Sequence, residues 1–136
     1  MVSGAFNSLD YIYLPAPDIE AAIRFYTTTL GGELCWRIRD GNTWVAAVRL
    51  AEVGPVVLLA NHLEPGQGVL IYRVPSISEV QRRLAKDGWS ADGTAFEIPQ
   101  GPCQMLRDPG GQRLAIYERL RPGVDEHFEG RFDPAE

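Results

Sequence analysis

The chain contains the same stretch twice, and that repeat limits the architectures open to it. The first copy is Leu9-Asp10-Tyr11-Ile12-Tyr13-Leu14-Pro15-Ala16-Pro17-Asp18-Ile19. The second is Gln67-Gly68-Val69-Leu70-Ile71-Tyr72-Arg73-Val74-Pro75-Ser76-Ile77. Each reads as an apolar strand that stops at proline and restarts as a helix at a capping residue. A shift of 58 residues superposes Tyr11 on Val69, Leu14 on Tyr72, Asp18 on Ser76 and Ile19 on Ile77. The same shift carries the helix faces and closing strands onto each other. Such a duplication predicts two half-sheets enclosing one cavity, with a ligand between the halves.

Residue patterns fill in the module. Leu9–Leu14 alternates as a strand, and Asp18 can cap the helix that follows. Ile19, Ala22, Ile23, Tyr26 and Leu30 fall at helical spacing and predict one apolar stripe, stopped by Gly31-Gly32. Strands are expected at Glu33–Arg39, Thr43–Leu50 (after an Asp-Gly-Asn turn) and Val56–Ala60. Asn61–Gln67 links the halves. The second half repeats the order. Gly68–Val74 is a strand, Ser76-Ile77-Ser78-Glu79 has the form of a capping box, and Ile77, Val80 and Leu84 make the stripe. Strands follow near Thr94–Ile98, at Cys103–Arg107 after a turn through Pro99–Pro102, and at Gln112–Glu118 after Asp108-Pro109-Gly110-Gly111. The expected fold class is α+β, two βαβββ repeats forming curled mixed sheets around a cavity. Residues 1–136 read as a single domain, with repeat one at 8–62, repeat two at 67–119 and an irregular tail at 120–136.

Composition narrows the function. A net charge of −5 without a basic tract makes a nucleic-acid partner unexpected. No stretch reaches the roughly 18 apolar residues of a membrane span, so no membrane partner is expected either. Met-Val-Ser-Gly-Ala-Phe lacks the features of a secretory signal. Cys35 and Cys103 stand apart, as reduced thiols of a cytoplasmic protein do.

The run from Leu9 to Gly32, with Phe25-Tyr26 and Leu30-Gly31, resembles the opening of the vicinal oxygen chelate superfamily. Asp108-Pro109-Gly110-Gly111 resembles the turn before its last strand. The superfamily includes glyoxalase I, bleomycin-resistance proteins, fosfomycin-resistance transferases and extradiol dioxygenases, and the resemblance spans about residues 8–119. It implies a divalent metal held by His and Glu or Gln side chains. The implied ligand positions fall on Tyr11, Val57, Val69 and Ala115. Three of these lack a donor atom, and a neutral phenol is a poor ligand. The neighbours Val56, Leu58, Leu70, Leu114 and Ile116 are equally inert, and Asp10 would be a solitary carboxylate. His62 in the linker and His127 in the tail have no second ligand at useful spacing. Neither a metal nor any other cofactor is expected.

Emptied of metal ligands, the cavity is expected to be apolar with aromatic walls. Strand alternation counted from the family positions places Tyr11, Tyr13, Val57, Leu59, Val69, Ile71, Met105 and Ala115 on it, with Trp36 and Trp44 adding to it. Plain core packing is the competing role for each. Arg73 and Arg107 alternate onto the same side, where either could hold a carboxylate, phosphate or enolate oxygen. A salt bridge, with Asp108 beside Arg107, is the alternative. Cys103 would need a base to act as a nucleophile.

These readings lead to a metal-independent binding protein for a hydrophobic or aromatic small molecule, like the sequestering bleomycin-resistance proteins. The resemblance adds the expectation of a homodimer. The competing reading is an enzyme related to glyoxalase-type lyases, isomerases or dioxygenases. Tyr11 or Tyr13 would act as its acid, and Arg73 or Arg107 would hold an oxyanion.

Overall fold

In chain order the elements are β1 (Ser8–Pro15), α1 (Ile19–Arg24), β2 (Glu33–Asp40), β3 (Thr43–Arg49) and β4 (Val56–Ala60), then β5 (Val69–Arg73), α2 (Ile77–Lys86), β6 (Asp92–Ile98), β7 (Gly101–Arg107) and β8 (Arg113–Tyr117). The computed structural model describes residues 4–98 and 100–121. Pro99, and the tail beyond Arg121 with His127, Phe128 and Phe132, lie outside the described residues. The fold is α+β, with a βαβββ order in each half. The chain divides into two compact units. One holds Tyr11–Gly68. Among the described residues, the other holds 69–121 together with 4–10. Strand β1 therefore belongs to the second-half unit at its start and to the first-half unit from Tyr11.

In the first-half unit the strands lie in the order β2-β3-β4-β1. The β1–β4 pair is parallel and the β2–β3 and β3–β4 pairs are antiparallel. Asp18 caps α1, its carboxylate accepting from the Ala21 N–H at 3.1 Å. Ile19 and Ile23 then pack on Ala46, Val48, Val57 and Leu59, with Ala22 and Tyr26 beside them. Burying each larger side chain stabilises the unit by roughly 1.5–3 kcal/mol. Leu30 does not join the stripe and is exposed. The reason is a π-helical turn over Phe25–Thr29, where the Leu30 N–H donates to the Phe25 carbonyl. Thr27 sits in a β-branched run and bonds back to the Ile23 carbonyl at 2.7 Å. The wider turn rotates Leu30 off the face. Gly32 follows where only glycine fits, since a Cβ would lie 2.8 Å from the Tyr26 carbonyl oxygen.

In the second-half unit the order is β5-β8-β7-β6, with β5–β8 parallel and β7–β8 and β6–β7 antiparallel. Ser76 Oγ accepts from the Glu79 N–H at 3.2 Å, and Glu118 Oε2 accepts from the Ile77 N–H at 2.9 Å. Both satisfy orphan donors at the start of α2. Ile77 and Val80 pack with Val74, Leu106 and Ile116. Apart from bulges in the edge strands β2 and β6, the two halves share one register, with a single slip. Positions correspond at a shift of 58 in β1/β5 and β3/β7, but at 57 in β4/β8. The cause is the loop Leu50–Pro55, one residue longer than its counterpart Asp108–Gln112.

Candidate functional site

Each half-sheet has one face covered by its helix and one turned away from it, and the register states which side chains share a face. In the second half, Val74, Leu106, Leu114 and Ile116 face α2. The alternate positions form rows on the opposite face. The first row is Arg73, Tyr117 and Cys103, with Phe96 opposite Cys103. The next is Ile71, Ala115 and Met105, and the last is Val69, Arg113 and Arg107. Six expected site residues (Val69, Ile71, Arg73, Met105, Arg107 and Ala115) thus share one face of one half-sheet.

A polar cluster anchors the first row. The Tyr117 hydroxyl, fully buried, donates to Asp10 Oδ2. Ser8 Oγ donates to Asp10 Oδ1 at 2.6 Å. Two hydroxyls therefore satisfy the carboxylate on both oxygens. Arg73 lies alongside, with Nε 3.3 Å from Asp10 Oδ2 and Nη2 donating weakly to Ser8 Oγ at 3.4 Å. Its Nε–H is buried but not aligned on any acceptor. The guanidinium is held in place by charge more than by hydrogen bonds, and 39% of the side chain stays exposed.

The other arginine is committed elsewhere. Arg107 Nε contacts Asp92 Oδ2 at 2.9 Å, and Nη1 donates to the Gly111 carbonyl at 3.3 Å. Asp108, its expected partner, instead holds the tight turn, accepting from the Gly110 and Gln112 N–H groups at 2.9 Å each. Burial pushes the Cys103 thiol up to about 11, so it stays protonated at neutral pH and is a poor nucleophile.

On the first half-sheet, the face away from α1 carries the row Tyr13, Leu58, Ala47 and Trp36. Tyr11 with Val56, and Ala60, Val45 and Ile38, lie on the same face. The Tyr13 hydroxyl is 3.5 Å from His62 Nε2, and burial raises it to about 12. Three expected residues are absent from this face. Val57, Leu59 and Trp44 pack with the α1 cluster. For Val57 and Leu59 the cause is the longer β3–β4 loop. Carrying Ala115 back by 58 lands on Val57, but its counterpart in the register is Leu58, and one residue turns every side chain over. Trp44 lies under Arg37, whose guanidinium stacks 4.5 Å from the ring centroid and pairs with Glu20.

Corrected for that slip, the metal positions that the sequence resemblance implies fall on Tyr11, Leu58, Val69 and Ala115. One phenol and three hydrocarbons do not fit a divalent cation. Among the described residues no group of three or more His, Cys, Asp or Glu side chains could hold one.

The sequence pattern did not point to Ser8, Tyr117 or the Tyr13–His62 contact, and it placed Asp10 only as a solitary carboxylate. Asp10 did carry a signal, as a carboxylate in a strand that is otherwise mostly apolar. Such a group needs donors, and they come from distant parts of the chain.

The family model described as Glyoxalase/Bleomycin resistance protein/Dioxygenase superfamily matches residues 8–116. Among solved structures, methylmalonyl-CoA epimerase from Mycobacterium tuberculosis aligns with a TM-score of 0.71 at 18% identity, over 89% of this chain and 93% of that one. A hypothetical protein from Bacillus halodurans aligns at 0.67 and 17% identity, over 84% and 95%. A variant methylmalonyl-CoA epimerase from Streptomyces coelicolor, in complex with 2-nitronate-propionyl-CoA, aligns at 0.68 and 12% identity, over 85% and 99%. At these identities the likeness is one of fold. No curated protein matches the chain.

Proposed function

The chain belongs to the glyoxalase/bleomycin resistance protein/dioxygenase superfamily, and from that premise we propose that it binds a hydrophobic or aromatic small molecule without a resident metal. The observation that carries the reading is the donor set. The metal positions that the sequence resemblance implies carry Tyr11, Leu58, Val69 and Ala115, with Ile71 and Met105 beside Ala115 in the register. Tyr11 and Leu58 in one unit, and Val69, Ile71 and Ala115 in the other, are buried apolar positions, and apolar side chains with a few fixed polar groups nearby suit a ligand held by burial and oriented by hydrogen bonds. Sequestration makes and breaks no bonds, so loss of the metal ligands leaves such a function intact.

A fluorescence titration with N-phenyl-1-naphthylamine, a neutral apolar dye, tests this reading. We expect saturable binding that is unchanged by EDTA. Binding that disappears on chelation and returns with nickel, zinc or manganese would restore a metal centre and overturn the reading.

One contact favours a second reading, a lyase- or isomerase-type enzyme. The Tyr13 hydroxyl lies 3.5 Å from His62 Nε2, so a phenol and an imidazole stand within reach of proton exchange. On that reading Tyr13 is the acid. A Tyr13→Phe variant would keep dye binding but lose the exchange of solvent deuterium into a bound substrate. Equal exchange in both proteins would remove Tyr13 from any mechanism.

A further inference from the structure

Cations gather on one face of the second half-sheet although the chain as a whole carries −5. Arg73, Arg107 and Arg113 all lie on the face away from α2, and Arg107 and Arg113 are neighbours in the register. The carboxylates close to this face are already engaged. Asp92 holds Arg107, and Asp10 takes the Ser8 and Tyr117 hydroxyls. Glu118 lies on the α2 side of the sheet and is bonded to the start of that helix. Arg73 is the cation with donors to offer. A guanidinium has five N–H groups in a planar fork. Among the described residues, the Arg73 side chain makes one weak hydrogen bond, from Nη2 to Ser8, and a contact with Asp10 in which Nε is not aligned. Nη1 is unused.

This arrangement differs from that of a structural ion pair, in which a guanidinium meets both oxygens of a carboxylate in two parallel bonds. Here Asp10 is satisfied by hydroxyls and acts on Arg73 as a nearby charge that orients it. The partly exposed fork sits one row from Ile71, Ala115 and Met105; Ile71 and Ala115 are buried, and Met105 is partly exposed.

We propose that Arg73 receives the anionic head group, a carboxylate or an equivalent oxyanion, of an apolar or aromatic acid whose body lies against Met105, the partly exposed apolar side chain one row away. Ser8, Asp10 and Tyr117 are positioning residues for that arginine. The inference rests on the binding reading above and narrows its ligand to an organic acid.

A matched pair of dyes separates the two claims. 1-Anilinonaphthalene-8-sulfonate is N-phenyl-1-naphthylamine with an added sulfonate. We expect both to bind the native protein. In Arg73→Gln the ratio of sulfonate-dye to neutral-dye affinity falls about tenfold, and Arg73→Lys lies between, because it keeps the charge and loses the fork. In the native protein, raising salt from about 50 to about 500 mM weakens the sulfonate dye and spares the neutral one. This second readout needs no variant to fold. If neither dye binds, the binding reading fails and this inference with it. If both bind and the affinity ratio is indifferent to the Gln variant, or to salt where that variant does not fold, Arg73 is not an anion site and the binding reading stands.

Discussion

Over their three inner strands the two half-sheets share a backbone register, but they differ in what they place on the face away from the helix. In the first half the row nearest the strand end is Pro15, Ala60 and Val45. Its counterpart in the second half is Arg73, Tyr117 and Cys103. The next rows are Tyr13, Leu58 and Ala47 against Ile71, Ala115 and Met105. On the helix-facing sides the correspondence is close, with Val48, Val57 and Leu59 matching Leu106, Leu114 and Ile116. The duplicated module thus keeps its core and varies its other face. Buried polar groups must be satisfied. A tyrosine and an arginine could therefore enter the second half only alongside donors and acceptors from outside that repeat, and Ser8 and Asp10 at the start of β1 supply them.

The largest test of this comparison concerns the position that opens β7. A Cβ on Gly101 would stand 2.0 Å from the Glu118 carbonyl oxygen, at a φ of 155°. Gly101→Ala is expected to cost about 3–5 kcal/mol or to prevent folding, whereas its counterpart Thr43→Ala costs about 1 kcal/mol or less. Urea unfolding compares them, and equal losses would mean the halves tolerate change alike. Next come the two helix-facing cores. Leu59→Ala and Ile116→Ala should each cost about 2–5 kcal/mol, because both side chains are fully packed. A several-fold disparity between them would break the equivalence of the cores. Tyr117→Phe removes one donor from Asp10 and should cost about 1–2 kcal/mol. A neutral result would show that the polar cluster adds nothing to folding.

The smallest effect is confined to alkaline pH. Burial raises Cys103 from 9.0 to about 11 and Tyr13 from 10.0 to about 12. In each case the fold favours the protonated form. The stabilisation is complete below the unfolded value and is lost as pH climbs through the folded one. Stability should therefore fall from about pH 9 upward. Cys103→Ala should remove the earlier part of that fall and Tyr13→Phe the later part. An unchanged slope in either variant would show that its group is hydrated in the native state.

Much of this was legible in the residues. The caps at Asp18 and Ser76, the prolines after β1 and β5, and strand alternation place every described element to within a few residues. Two features were not. Alternation counts parity only within a strand, so one extra residue in the loop Leu50–Pro55 was enough to put Val57 and Leu59 on the wrong face. Ionic partners are a property of the folded register. Neither Asp10 beside Arg73 nor Asp92 beside Arg107 is near its arginine in sequence, whereas Asp108, the sequence neighbour, is taken by its own turn.

Native mass spectrometry of the untagged protein tests the central claim most directly, because it weighs metal and retained ligand together. The expected spectrum shows a chain mass without stoichiometric metal, and any added mass should be an organic acid that Arg73→Gln releases. One divalent metal per chain, removed by chelator and restored on reloading, would contradict that claim.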